Sequence, residues 1–264
     1  MRRMVGSTSV TSVTDASGRF FSAARDAFPT AGEAAWEAAR LLDPTAFEPD
    51  DGWRLQFRCF LVQPAGGPTV LVDAGIGPVG APASRWAPVP GRLPAELASV
   101  GVAPTEVDIV VLTHLHTDHI GWAVGVADGR PTFPNARYVL QRADHDAADT
   151  MSPALREFLL DPLHATGQLH LADGEVPLGT GLRAVPAPGH TPGHQVVLVG
   201  DDRPLVITGD LLVHAVQLAD PTVTYAHDAD PELARTSRLR LFSQAAELAT
   251  SHLTDPFHPV PPPP

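Results

Sequence analysis

Short aliphatic and β-branched runs, each bounded by Gly, Pro or Asp, recur along the chain. They predict strands over Arg54–Val62, Thr69–Asp73, Val107–Thr113, Arg137–Gln141, Gly181–Val185, Gln195–Val199 and Leu205–Thr208. Between them the apolar spacing becomes helical over Ala31–Leu42, Pro94–Val100, Arg142–Thr150, Pro153–Leu160 and Pro231–Ala249. The last of these is the clearest, with Leu233, Leu239, Phe242, Ala246 and Ala249 near helical register. Strands that alternate with helices in both halves imply an α/β architecture, with sheets buried between helical layers. No repeat or linker divides the chain, so a single domain is expected, with its core over residues 51–258. Residues 1–50 then precede the core as an arm or lid. PVPPPP at 259–264 reads as a frayed polyproline tail.

Composition narrows the function. At 264 residues, 44% hydrophobic and 18% charged, the chain can bury a sizeable core, which excludes disorder as the main reading. The formal charge is -12, and all 18 basic side chains are arginine. An acidic chain without lysine argues against nucleic acid or an anionic membrane as partner and leaves a small molecule. The single cysteine, Cys59, excludes an internal disulfide framework and a cysteine-cluster zinc site. Neither a secretory apolar run behind Arg2 and Arg3 nor a membrane-spanning stretch is present, so a cytoplasmic location is expected.

The 12 histidines change the picture because several are clustered. In VDIVVLTHLHTDHIGW an apolar strand delivers His114, His116, Asp118 and His119 at its carboxyl end. Alternate side chains of an extended segment share a face, so His114 and His116 can point at one metal ion. Asp118 and His119 follow as the chain turns, where they can reach a second ion. A polar loop that is histidine-rich by chance is a poor account of three histidines and an aspartate packed into six residues at a strand end. Neutral imidazole with carboxylate suits zinc, and also iron or manganese.

THLHTDH resembles the HxHxDH motif of the metallo-β-lactamase superfamily of hydrolases. VLVDAGIG, PGHTPGH and ITGD resemble, in order, its strand ending in Asp-x-Gly, its second metal-binding loop and its bridging aspartate. The resemblance implies an αββα sandwich of two facing mixed sheets with helices outside. It also implies two divalent ions: His114, His116 and His190 for the first, Asp118, His119 and a late histidine for the second, with Asp210 bridging. SHLTDPFHP offers His252 and His258 for the late position, and the family pattern, a histidine directly after the last short strand, selects His252. His190 lies in a Pro-Gly loop, a poor place for a packed core histidine. Asp73 is expected to orient a metal-binding histidine. His194 reads as a structural residue or a support behind the ligands. Trp122 is open between core packing and pocket wall, and His214 between a hydrogen bond to substrate and local packing. His145, His164, His170 and His227 read as surface or loop residues.

Two divalent ions outweigh Asp118, Asp210 and a shared hydroxide by one positive charge, which favours a transition state that gains negative charge. The expected reaction is attack of that hydroxide on a carbonyl or phosphoryl centre, with Asp118 orienting it and moving a proton to the leaving group. Cys59 is expected to be inert. Penicillin hydrolysis is disfavoured because Cys59 precedes the motif and cannot match the cysteine ligand of several zinc β-lactamases. A glyoxalase II reading fails for want of its extra helical domain and basic residues. What remains resembles the branch of acyl-homoserine lactonases and methyl parathion hydrolase, implying cleavage of lactones, carboxyl esters or phosphotriesters. The lactonases carry a tyrosine three positions after the bridging aspartate, where this chain has Val213. A diiron oxidoreductase or persulfide dioxygenase on the same fold, and a metal-holding protein without catalysis, are the alternatives. The segment Arg19–Pro49, with Phe20, Phe21 and Phe28, suits either a lid or the arm of a homodimer.

Overall fold

A computed structural model describes residues 1–260, and of residues 151 and 153 the backbone only. In chain order the strands are β1 (Arg2–Val5), β2 (Thr8–Arg19), β3 (Arg54–Pro64), β4 (Val70–Val72), β5 (Ile109–Val111), β6 (Arg137–Gln141), β7 (Leu169–Ala172), β8 (Val176–Gly179), β9 (Leu182–Pro186), β10 (Gln195–Val199), β11 (Leu205–Ile207), β12 (Glu247–Ala249) and β13 (Phe257–Pro259). The first seven form one sheet in sequence order, and the other six form a second in the order β13-β12-β11-β10-β9-β8. Both sheets are mixed. β1 to β4 pair antiparallel and β4 to β7 parallel; the second sheet is antiparallel except for β11 beside β12.

The two-residue period of the strands builds three cores. Val10, Phe60, Val62, Val70 and Val72 meet Val197, Val199, Leu205 and Ile207 between the sheets. Leu61, Leu71, Val110 and Tyr138, on the opposite face of the first sheet, pack under helical residues Leu93, Leu97, Leu159 and Leu163. Val196, Leu198, Val206 and Leu248 do the same for the second sheet, against Leu241 and Phe242 of helix Pro231–Gln244. Both faces of each sheet are therefore covered, which is why the central strands read as continuous apolar runs. The result is the expected four-layer αββα sandwich. Truncating a side chain such as Leu61, which is fully buried, to alanine would cost about 2–5 kcal/mol.

The N-terminal stretch departs from the arm or lid expected over residues 1–50. β2 pairs with β3 from Thr8↔Pro64 to Arg19↔Arg54, so residues 2–19 are integral to the first sheet. TSVTSVT sets its two valines three residues apart, so Val10 and Val13 fall on opposite faces among Ser and Thr with no apolar run or alternation, and only the long pairing with β3 reveals it as a strand. The last helix ends at Gln244, not at Ala249; Glu247–Ala249 instead lies parallel to β11, where Leu248 and Ala249 are buried. Ladder pairing and burial outweigh the helical spacing there. Pro259 closes β13, and residues 261–264 of the expected tail lie outside the described residues. No described helix is long and apolar enough to cross a membrane.

Four parallel-paired strand ends converge on one edge. β4 runs into Asp73, β5 into His114–His119, β11 into Asp210 and β12 into His252. Gly209 makes this approach possible: its φ is +48°, and a Cβ there would fall 2.8 Å from Thr113 and 2.9 Å from the ring of His194.

Candidate metal centre

Two groups of donors, all buried except the half-buried His116, lie side by side at that edge. His114, His116, His190 and Asp210 each bring one ligand atom within 4.8 Å of the others, and so do Asp118, His119 and His252. Asp210 spans them. Its Oδ2 lies 3.2 Å from Nε2 of His190 and 3.7 Å from Nε2 of His114, and its Oδ1 lies 2.9 Å from Nε2 of His252 and 3.1 Å from Nε2 of His119.

The imidazoles are held from behind. Nδ1 of His252 donates to the Gln56 carbonyl at 2.7 Å, which turns Nε2 inward. Asp73 sits 2.8 Å from Nδ1 of His119, and Asp228 sits 2.8 Å from Nδ1 of His190. The Thr113 hydroxyl donates to Asp73 at 3.0 Å, so it accepts from Nδ1 of His114 at 2.9 Å. Nδ1 of His194 donates to the Ala187 carbonyl, which leaves its Nε2 to accept the backbone N–H of Asp210 at 3.0 Å. Such partners fix ring orientation and the nitrogen left free to bind.

This donor set fits divalent ions. Nε2 of His114 and of His119 are buried with no hydrogen-bond partner among the described residues; His119 is near Asp210 but out of hydrogen-bonding geometry. A buried polar atom left so costs about 1–3 kcal/mol unless something engages it. The charges point the same way. Burial opposes ionisation of Asp210, yet His119, His252, His114 and His190 hold its carboxyl well below the usual range. Burial opposes a charge on His190 too, but Asp210 and Asp228 raise its pKa to about 9. His119 is likewise raised against burial, by Asp210, Asp118 and Asp73. His116 is lowered to about 3, chiefly by burial and then by His190. The carboxylates thus call for positive charge between the two groups, where a cation of two charges would satisfy them.

The loops that carry these residues are clamped by buried groups of the opposite kind. Asp144 accepts from Gly193 N at 2.6 Å and from the Thr191 hydroxyl at 2.8 Å, fixing the loop of His190. The buried Arg58 guanidinium donates to the carbonyls of Thr250, Leu253 and Thr254, fixing the loop of His252. Arg238 donates to the carbonyls of Leu211, Pro221 and Val223 and shapes the segment after Asp210.

Above the donors opens a cavity of about 950 Å³, walled by Phe20, Phe21, Trp53, Leu55, Trp86, Leu155, Phe158 and Val213, with Asp118, His190, Asp210 and His252 at its floor. Phe20 and Phe21 come from the segment expected to be a lid or dimer arm. Two expected residues do not reach the cavity. Trp122 donates its indole N–H to Asp15 at 3.1 Å and packs into the core under the first sheet. His214 is buried among Phe28, Trp36, Phe47 and Trp53, with Nδ1 accepting from Val216 N at 3.1 Å, so local packing is its role. His258 lies in β13 and engages the Asp255 carbonyl, away from the cluster. Cys59 is buried in β3, and burial pushes its thiol up, as an inert residue requires.

Sequence reasoning missed Asp228, Tyr225 and His227. Asp228 braces His190 from 38 positions away, with no local pattern to announce it. His227, read as a surface residue, lies at the cavity mouth. Tyr225 is buried in the cavity wall, and burial with the carboxylates of Asp210, Asp118 and Asp228 pushes its phenol well above the usual value.

Residues 53–252 match the model of the metallo-beta-lactamase superfamily, about three quarters of the chain. The chain belongs to that superfamily. Among its relatives is an N-acyl homoserine lactonase of a Bacillus species, 27% identical over 146 residues, 54% of either chain. The N-acyl homoserine lactonase AttM of Azorhizobium caulinodans is 34% identical over 133 residues, 44% of this chain and 45% of its own. The chain spans about half the length of the curated relatives it matches. Among solved structures, that of AidC, a dizinc quorum-quenching lactonase in complex with a product, aligns with a TM-score of 0.79 at 22% identity, covering 98% of this chain and 92% of that one. The hydrolase AbOPH aligns at 0.76 and 22%, covering 98% and 96%. At that identity the likeness is one of fold.

Proposed function

We propose that the protein is a dinuclear metal-dependent hydrolase of lactones, carboxyl esters or phosphotriesters, working in the cytoplasm on small apolar molecules. The observation that carries this reading is the split carboxylate of Asp210, one oxygen toward each donor group, at the floor of an apolar cavity. His114, His116 and His190 would hold one ion, Asp118, His119 and His252 the other, and Asp210 both. Zinc suits the set, and so do iron or manganese. Two bound divalent ions would supply hydroxide near neutral pH and a counter-charge for the oxygen that becomes negative. The chain's own contributions are positional. Asp118, 3.5 Å from Nε2 of His119, presents a carboxylate at the cavity floor that can accept the nucleophile's proton and return it to the leaving oxygen. The aromatic walls exclude water and accept apolar groups of the substrate without prescribing a charge. Lactones enter the proposal because lactonases are among the relatives.

The test is metal analysis of protein purified without chelator, followed by one panel of acyl-homoserine lactones, simple aryl esters and a dimethyl aryl phosphotriester. Close to two ions per chain with turnover of at least one class is expected. No turnover of any class with two ions bound, together with oxygen consumption, would replace hydrolysis by redox chemistry.

A further inference from the structure

A site that drives negative charge onto a substrate oxygen gains from a fixed hydrogen-bond donor aimed at it, and Val213 presents only methyl groups to this cavity. The other polar side chains of its wall are poor candidates. Ser84, Arg85, Glu157 and His227 are exposed, Thr117 and Ser152 are only half-buried, and the indole N–H groups of Trp53 and Trp86 are committed to the Ser22 carbonyl and the Thr117 hydroxyl. Tyr225 is different. Apart from the clustered metal-type donors, it is the buried cavity-lining side chain with an uncommitted hydrogen among the described residues.

Its position is rigid. The ring stacks against Phe28, centroids 5.0 Å apart and 24° from parallel, and against His190, 6.0 Å apart and 17° from parallel. The neighbouring backbone is tied at Ala226 N to the Ala27 carbonyl and at Asp228 N to the carbonyl of Tyr225 itself. Arg238 clamps the same loop at Pro221 and Val223. A donor so held pays no reorganisation when charge develops, which is the condition under which it stabilises a transition state most.

We propose that Tyr225 is the substrate-contacting hydrogen-bond donor of this site, giving its phenolic hydrogen to the oxygen that becomes negative when the carbonyl or phosphoryl centre is attacked. The phenol keeps its proton throughout; no bond to it is made or broken. This rests on the hydrolase reading, and the two fail separately.

The experiment compares wild type with Tyr225→Phe, which keeps both ring contacts. Three things are measured: turnover on the best substrate, metal content, and calorimetric binding of n-hexylphosphonate, a tetrahedral anion with an apolar tail. The expected result is a kcat about 100-fold lower with KM within about threefold, unchanged metal content, and phosphonate binding weakened about tenfold or more. Equal kcat and equal binding in the two proteins would overturn the assignment while leaving the hydrolase intact. Phosphonate binding that depends on Tyr225 in a wild type without hydrolytic activity would overturn the hydrolase reading and keep the donor. A wild type that neither turns over nor binds would overturn both.

Discussion

Oδ2 of Asp73 lies 2.8 Å from Nδ1 of His119, so Nε2 of His119 is the nitrogen that faces Asp118 and Asp210. The same carboxylate takes the backbone N–H and the hydroxyl of Thr113, and through that hydroxyl it steadies His114. Asp73 therefore braces a histidine of each donor group. It does so at φ +63°, a left-handed conformation that asparagine and aspartate tolerate better than other side chains.

Asp73→Asn keeps that conformation and the bond from Thr113 N but lowers the charge behind both rings. The expected outcome is a folded protein with metal affinity reduced about 10- to 100-fold, read by competition with a chromogenic chelator. Unchanged affinity would show that the carboxylate only supports the loop.

His252→Ala should lose one of two metal equivalents and most turnover, whereas His258→Ala should retain both. His252 meets Asp210 at 2.9 Å; His258 engages the Asp255 carbonyl from β13. Elemental analysis of both variants decides, and exchanged phenotypes would reverse the choice.

Arg58→Met should destabilise the protein by about 2–4 kcal/mol, because three carbonyls of residues 250–254 lose their donor. The loop of His252 should loosen with it, so mild chelation should remove one equivalent well before the other. Denaturant titration and a chelation time course test this. Loss of both equivalents at the same rate would detach Arg58 from His252.

Acid should destabilise the fold through His214. Burial lowers its pKa to about 4, from about 6.5 in the unfolded chain, so the folded state keeps the ring neutral while the unfolded state takes up a proton. That contribution is fully present above pH 6.5 and is lost as pH falls through about 4, amounting to about 3 kcal/mol. His214→Asn, whose amide oxygen can still accept from Val216 N, should flatten stability against pH across this window. Urea midpoints at pH 7, 5.5 and 4.5 measure the slope, and an unaltered slope would assign the acid sensitivity elsewhere.

The sequence by itself determined the layered architecture and the clustering of His114, His116, Asp118 and His119, because both depend on spacing within one segment. A strand has a period of two, and the six residues beyond its end cannot stray far. The aspartates after VLV and VITG were legible for the same reason: each ends an apolar strand. Tertiary structure alone decided what each side chain faces once distant segments meet. β2 became a strand only by lying along β3. Trp122 turned from the cavity because Asp15, 107 positions earlier, accepts its N–H. His214 entered an aromatic enclosure assembled from Phe28, Trp36, Phe47 and Trp53. Asp228 and Tyr225 came up against His190 through a loop shaped by Arg238. Such contacts join segments whose approach is set by packing of the whole core, and no local period encodes them.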